Sequence, residues 1–580
     1  MTTRTPAKPP NLDLIRCIPP DARVVVQIGC QSSELAKAYK RINPRVRYLA
    51  AVAPSFSNTK IDSSPFDRLI FTDLEVIQPA ELGLDQWKPD VDCLVFDESL
   101  ETMLRPLLSL TRLGSWLRLG GQIVACVSNV QHYSIIVGLL RGQWLDTNRG
   151  AFDESPLRFF TLEGVKRLFD LAGFQVYNIQ PRYWTGNEFA QFMQIAESLL
   201  RALAIDPATF ATRGQPAQFV IGAIRNGPPP ARAVIWSLLG AATGSEVRIK
   251  EPSEFLATIP GIRIVAGPNI SLEHLDRTHP GEKKVFVQQR IVIPRADHVR
   301  LQQALLARNY LVIAEFDDDP EQFPALVADD YFALKSCHAI QTTTPVMADT
   351  LRAFNQRVAV FPNQIAMLPR PRVDRSREPR PGSPAVTLLF GALNREADWA
   401  PLIDPLNQIL RAHAGAIGVR VIHDRAFHDA LATPHKQFEP LCTYERYHEL
   451  LDTADIVLAP LERTRFNTHK SDLKFIEAAA HGAVFLAAPT VYEESVIHGE
   501  TGLIYHSLEE FKALLDRLIR DRPYRIQLGT NARNYVSTKR LLSQHFRDRL
   551  DWYRSLWDQL DVLNAELQSR IPELFVDRPS

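Results

Sequence analysis

The chain has no excess of charge: 66 lysines and arginines stand against 66 aspartates and glutamates. That balance gives no reason to expect nucleic acid or an anionic membrane surface as the main partner, and it is compatible with a local basic patch. Cysteine is scarce. Cys17, Cys30, Cys93, Cys126, Cys337 and Cys442 form no CxxC pair and no cysteine–histidine cluster at metal-ligand spacing, so no metal is expected. Most of them sit in apolar runs, where a buried free thiol suits a reducing compartment. Long apolar runs are missing as well. No window approaches about 18 uninterrupted apolar residues, which excludes a spanning helix. The opening MTTRTPAKPPNLDLIRCIPP lacks the apolar core of a secretory signal. A cytoplasmic location is expected, with peripheral membrane contact and oligomerisation left open.

What the chain does have is length and a recurring pattern. Its 580 residues exceed one core and call for about three to four compact units. Two proline-bearing segments, NGPPPARA (226–233) and LPRPRVDRSREPRPGSP (368–384), resist regular structure and read as linkers. Within 10–225, RVVVQIG, VRYLAAV, RLIFTD, DCLVFD, GGQIVACVS, FQVYNI and AQFVIGAI alternate with helical patterns. The alternation recurs over 230–367 and again over 385–540, and it predicts three α/β units with mostly parallel sheets. The segment 541–572 carries a helical stripe of Phe546, Leu550, Tyr553, Leu556, Trp557 and Leu560, expected to pack back across the preceding units.

Three stretches carry chemistry. In THKSDLKFIEAAAHGAVFLAA (468–488), a helix is predicted from Asn467 or Thr468, both good caps. At 100° per residue, Lys470, Lys474 and Glu477 fall within roughly a 60° arc beside the core stripe of Leu473, Ile476 and Ala480. Free N–H groups, Lys470 and Ser471 at its start suit a diphosphate, and Glu477 lies two turns deeper. A solvated helix with a Lys–Glu pair is the alternative. In LLFGALNREADW, Gly391, Asn394 and Arg395 follow a strand. In LVIAEFDDDPEQF, Glu315, Asp317, Asp318 and Asp319 follow another, fit for acid–base work, for a cation, or for a plain capped turn.

The longer run THKSDLKFIEAAAHGAVFLAAPTVYEESVIHGETGLIY (468–505) resembles the donor-binding segment of retaining GT-B glycosyltransferases of the group 1 type. QTTTPVMADTL and VFPNQI resemble the last strand–helix segments of that fold's first lobe, with Pro345 entering a helix. The resemblance implies an acceptor lobe at 230–367 and a donor lobe at 385–540, with a nucleotide-sugar as donor and no obligatory metal. It implies that Glu477 accepts both ribose hydroxyls, and that Lys470, the helix start and Arg395 stabilise the departing diphosphate. Ser471, Lys474, Gly391 and Asn394 line the same place. Where the family has a second glutamate, eight positions before Glu477, this chain has His469, either a hydrogen-bond partner for the sugar or a surface histidine. Asp317 and Asp318 are the acid–base candidates on the acceptor side.

Residues 10–225 resemble a class I S-adenosylmethionine methyltransferase along nearly their whole length, through RVVVQIGCQSSELAKAY and LRFFTLEGVKRLFDLAGFQV. Gly29 and Asp73 keep the cofactor pattern. Gln31 and Ser33 replace loop glycines, and Gln27 and Ala53 replace acids. A non-catalytic scaffold or acceptor-recruiting unit is therefore set against active methylation. His132 reads as an exposed loop histidine or a base, and Trp144, Tyr183 and Trp184 as core or as sugar-stacking rings. The function this implies is sugar transfer from a nucleotide-sugar to a glycan or protein, in making surface polysaccharide, lipopolysaccharide or glycoprotein. The alternatives are a bifunctional glycosyltransferase–methyltransferase and a non-catalytic glycan-binding or scaffold protein.

Overall fold

A computed structural model describes residues 10–56, 61–85, 88–143, 157–184, 186–227, 230–240, 244–371, 384–392 and 395–575. They form two compact units, one of residues up to Arg232 with Ala257–Ile262, the other of Ala233–Leu256 and the chain from Arg263 onward. The expected α/β class is the one adopted, with three sheets dominated by parallel strands. No described helix is long and apolar enough to cross a membrane.

Unit one is built on β1 (Val24–Ile28), β2 (Arg47–Val52), β3 (Arg68–Phe71), β4 (Val91–Asp97), β5 (Leu117–Ser128), β6 (Phe174–Arg182) and β7 (Gln218–Arg225). Their order is β3-β2-β1-β4-β5-β7-β6. Strand β7 runs antiparallel to β5 and to β6, and the other pairs are parallel. Every residue of β1 is buried, as expected of a strand covered on both faces.

Unit two holds two sheets. The first comprises β8 (Ala233–Leu239), β9 (Ile262–Gly267), β10 (Lys283–Gln289), β11 (Leu311–Glu315), β12 (Ala339–Thr342) and β13 (Val358–Val360), ordered β13-β12-β11-β10-β8-β9. The second comprises β14 (Val386–Gly391), β15 (Ile417–Ile422), β16 (Lys436–Glu439), β17 (Ile456–Ala459), β18 (Val484–Ala487) and β19 (Leu503–Ile504), ordered β16-β15-β14-β17-β18-β19 and parallel throughout. Such sheets bind ligands beyond the carboxyl ends of the strands where the order reverses. Those points lie between β8 and β10 in one lobe and between β14 and β17 in the other. Arg290 stands just past β10, and Gly391 ends β14, so both reversals fall on polar or small residues.

The C-terminal stripe forms two helices, Phe546–Trp557 and Leu560–Arg570, parted at Asp558 and Gln559. They lie on the first lobe of unit two. The Tyr553 hydroxyl donates to Gln341 (2.7 Å), Arg549 donates to the Arg248 carbonyl (2.6 Å), and Arg570 donates to the carbonyls of Lys335 and Cys337.

Candidate functional site

At the β14/β17 reversal a cationic cluster is assembled by local bonds. Thr464 caps the short helix Arg465–Thr468 by accepting from the Asn467 N–H (3.2 Å). Buried Asp398 accepts from the Glu462 N–H and from the Asn467 amide, both at 2.8 Å, which fixes the loop after β17 against the helix Glu396–Ala412. Arg395 donates to Asp398 (3.2 Å) and to Asn467. The Phe466 ring carries two cations, Lys470 Nζ at 4.1 Å and the Arg395 guanidinium at 5.1 Å from its centroid. Lys474 Nζ donates to the Gly391 carbonyl at 2.5 Å. Lys474 is exposed to solvent at its surface yet crowded by protein atoms. Burial first, then Arg395 and Lys470, pull its ammonium down to about 8. Three positive side chains thus converge on one place. Gly391 is not there for lack of room, since an added Cβ would meet Ile422 at an ordinary 3.7 Å. Asn394 lies outside the described residues.

The helix start differs from the expectation. Arg465–Thr468 is a turn of its own, and the helix carrying Glu477 begins only at Leu473. Tertiary bonds hold the connector between them. Arg540 grips Asp472 with two bonds (2.6 and 3.0 Å) and also donates to the Asn363 carbonyl. The Asn363 amide donates to the Ser471 hydroxyl (2.8 Å). His469 is buried rather than on the surface, its ring 2.7 Å from both the Arg465 carbonyl and the Thr350 hydroxyl of the facing lobe. Lys470 and Ser471 therefore reach the cluster from a connector, while Lys474 and Glu477 reach it from the helix.

Glu477 is only 3% exposed. Its Oε1 accepts from the Tyr444 hydroxyl at 3.0 Å, and Tyr447 lies one turn further along the same helix face. Burial pushes its carboxyl up to about 7 against the pull of those two phenols. Across the lobes, Glu251 opens the helix Glu251–Leu256, and burial together with Glu477 pushes it up to about 8.

The acidic stretch is spread over three environments. Glu315, fully buried, takes Arg248 in a two-pronged pair (2.9 and 3.2 Å) at the C-terminal end of β11. Arg248 also donates to the Phe361 and Thr342 carbonyls and to Asn363. Asp317 accepts from Arg290 at 2.6 Å, and Asp318 from Lys470 at 2.6 Å. Asp319 caps the turn Pro320–Gln322. Both acid–base candidates are thus engaged by cations. Arg290, Phe466, Tyr444, Tyr447 and Glu251 were not singled out in the sequence. The one signal for the tyrosines is their spacing, which sets them on one helix face with His448.

In unit one the place for a cofactor is tested by its glycine loop. Gly29 adopts a left-handed φ of +78°, and a Cβ there would come within 2.3 Å of Ser99 Cβ, so Ser99 lies directly on the loop. The Ser99 hydroxyl donates to the Ile28 carbonyl (2.7 Å), and the N–H groups of Gly29 and Cys30 are both spent on the Ala51 carbonyl. Gln27 accepts from the Tyr48 hydroxyl, Ala53 offers no carboxylate, and Asp73 is turned to the Glu75 N–H. These residues do not fit S-adenosylmethionine. His132 is buried rather than on an exposed loop, at the cap of the helix Tyr133–Leu140, with burial holding its ring down at about 4. Trp184 meets it edge-on at 4.9 Å, Tyr183 and Trp184 are exposed, and Trp144 lies outside the described residues.

Residues 401–551 match the family model described as glycosyl transferase-like. No curated protein matches the chain. Among solved structures, the chain is similar to the Anabaena protein HepE in complex with UDP and glucose, at 13% identity over 56% of this chain and 99% of that one, with a TM-score of 0.42. It is similar to sucrose-phosphate synthase from Thermosynechococcus elongatus, at 14% identity over 56% of this chain and 100% of that one, with a TM-score of 0.43. It is also similar to the pneumococcal O-GlcNAc transferase GtfA in complex with UDP and GlcNAc, at 9% identity over 50% and 58% of the two chains, with a TM-score of 0.35.

Proposed function

We propose that unit two transfers a sugar from a nucleoside diphosphate sugar to a hydroxyl of a glycan or protein, with 385–540 holding the donor and 230–367 the acceptor. The convergence of Arg395, Lys470 and Lys474 beside buried Glu477 carries this reading, and the family match over 401–551 supports it. Positive charge fixed before reaction, in a place partly screened from water, stabilises the negative charge that develops on a leaving diphosphate. Glu477 accepts the ribose hydroxyls. One of its roughly four lone-pair directions goes to Tyr444, which leaves room for a vicinal diol. In the step itself, the bond from the anomeric carbon to the diphosphate oxygen breaks and the acceptor oxygen takes that carbon. The hydroxyl proton leaves with the diphosphate. Retention of configuration, a setting in surface polysaccharide, lipopolysaccharide or glycoprotein synthesis, and a cytoplasmic location follow from the group 1 resemblance.

Unit one serves in this reading as a scaffold or acceptor-recruiting part, since its glycine loop is filled by Ser99. Calorimetry with S-adenosylmethionine is expected to show no micromolar binding. For unit two, the test is a screen of nucleotide-sugars for hydrolysis or transfer by the wild type and by the Lys470→Ala, Glu477→Ala double variant. Turnover by the wild type and its loss in the variant support the assignment. Undiminished turnover in the variant removes both residues from the site.

A further inference from the structure

The helix Tyr444–Thr453 and the helix Leu473–Ala480 are joined by a second polar contact behind Glu477. Tyr444, His448 and Asp452 recur every fourth residue, with Tyr447 beside them, so all four share one helix face. Glu477 and His481, the residue that closes its helix, have the same spacing. The two faces meet bond by bond. Tyr444 donates to Glu477, His448 Nδ1 lies 2.7 Å from His481 Nε2, and His481 Nδ1 lies 2.5 Å from an Asp452 oxygen. The His448 ring stands edge to face against Tyr444, centroids 4.5 Å apart.

The network assigns the protons. Asp452 accepts, so His481 carries its hydrogen on Nδ1 and offers Nε2 as a lone pair. His448 must then donate from Nδ1 and is bare at Nε2. That nitrogen is buried without a hydrogen-bond partner among the described residues, so a second proton there would be an unmatched buried donor. One arrangement of both rings is therefore selected, and the His448 ring is held as a fixed wall behind Tyr444.

We infer that His448 and His481 are positioning residues for ribose recognition: by fixing the Tyr444 ring they aim the free lone pairs of Glu477 at a vicinal diol. Neither residue touches the nucleotide. This rests on the reading of Glu477 given above, and the experiment separates the two.

The full chain is titrated calorimetrically with UDP and 2′-deoxy-UDP, and with GDP and 2′-deoxy-GDP. The wild type is expected to prefer the ribose form of the pair it binds by about ten-fold or more, the value of a hydrogen bond to a charged group. His481→Phe, which strands the His448 N–H, should cut that preference to about three-fold or less. Tyr444→Phe, which loses one oxygen and leaves the packing intact, should do the same. His481→Gln, whose amide oxygen can stand in for Nε2, should restore it. Melting temperatures are recorded alongside, because loss of fold weakens both members of a pair equally and leaves their ratio unchanged. Full ribose preference in His481→Phe or in Tyr444→Phe overturns the positioning role. If Glu477→Gln keeps the preference, or the wild type binds no nucleoside diphosphate, the nucleotide reading fails first and this inference fails with it.

Discussion

Lys470 Nζ lies 2.6 Å from a carboxylate oxygen of Asp318, so a cation assigned to the leaving diphosphate is held by an acid from the facing lobe. A diphosphate must compete with that acid. A part-exposed pair of this kind is worth about 1 kcal/mol or less, which is about five-fold in affinity. Asp318→Asn is therefore expected to tighten UDP or GDP binding by about three- to five-fold, and Lys470→Ala to weaken it. Unchanged affinity in Asp318→Asn, measured by calorimetry at low salt, would separate Lys470 from the phosphate.

Phe466 carries both Arg395 and Lys470 on its ring, and each such contact is worth about 0.5–1 kcal/mol at a partly exposed site. Phe466→Leu should weaken a nucleoside diphosphate by about three- to ten-fold and leave the free nucleoside unaffected. Phe466→Tyr should behave as the wild type. Equal losses for diphosphate and nucleoside would show that the ring acts only on packing.

Glu477 makes stability depend on pH. Its carboxyl would ionise near 4.5 when unfolded and does so at about 7 when folded. Between those values the folded chain holds the extra proton, so stability falls as pH rises and the penalty is complete above about 7. Lys474 works in the opposite direction higher up. Folded it loses its proton near 8 rather than 10.5, so stability recovers as pH climbs through that interval. Glu477→Gln should raise stability at pH 8 by on the order of 2 kcal/mol more than at pH 5. Scanning calorimetry at the two values checks this, and equal shifts would contradict it.

The Arg248–Glu315 pair is structural. Both side chains are almost fully buried, and Arg248 spends its remaining donors on Phe361, Thr342 and Asn363. Glu315→Gln leaves the guanidinium without its counter-charge and should cost about 3–5 kcal/mol in chemical denaturation of the full chain. A loss under 1 kcal/mol would mean that the charge is met elsewhere.

The strands were readable because runs such as RVVVQIG and DCLVFD are bounded and apolar, and they became β1 and β4. Glu477 and Lys474 were readable because they share a face of one helix. The connector 469–472 was not. Asp472 is fixed by Arg540 and Ser471 by Asn363, partners 68 and 108 residues away, and helix periodicity carries no trace of them. Phe466 and Arg290 escaped for the same reason, because each matters only through what a distant segment brings beside it. The Tyr444–His448–Asp452 spacing was visible, but its meaning needed the second helix.

The most direct test of the account is a structure of the full chain with UDP or GDP bound. The account predicts the ribose hydroxyls on the Glu477 carboxylate and the diphosphate within hydrogen-bond reach of Lys470, Lys474 or Arg395, with the Lys470–Asp318 pair opened. A nucleotide seated elsewhere, with Glu477 still facing only Tyr444 and Tyr447, would contradict it.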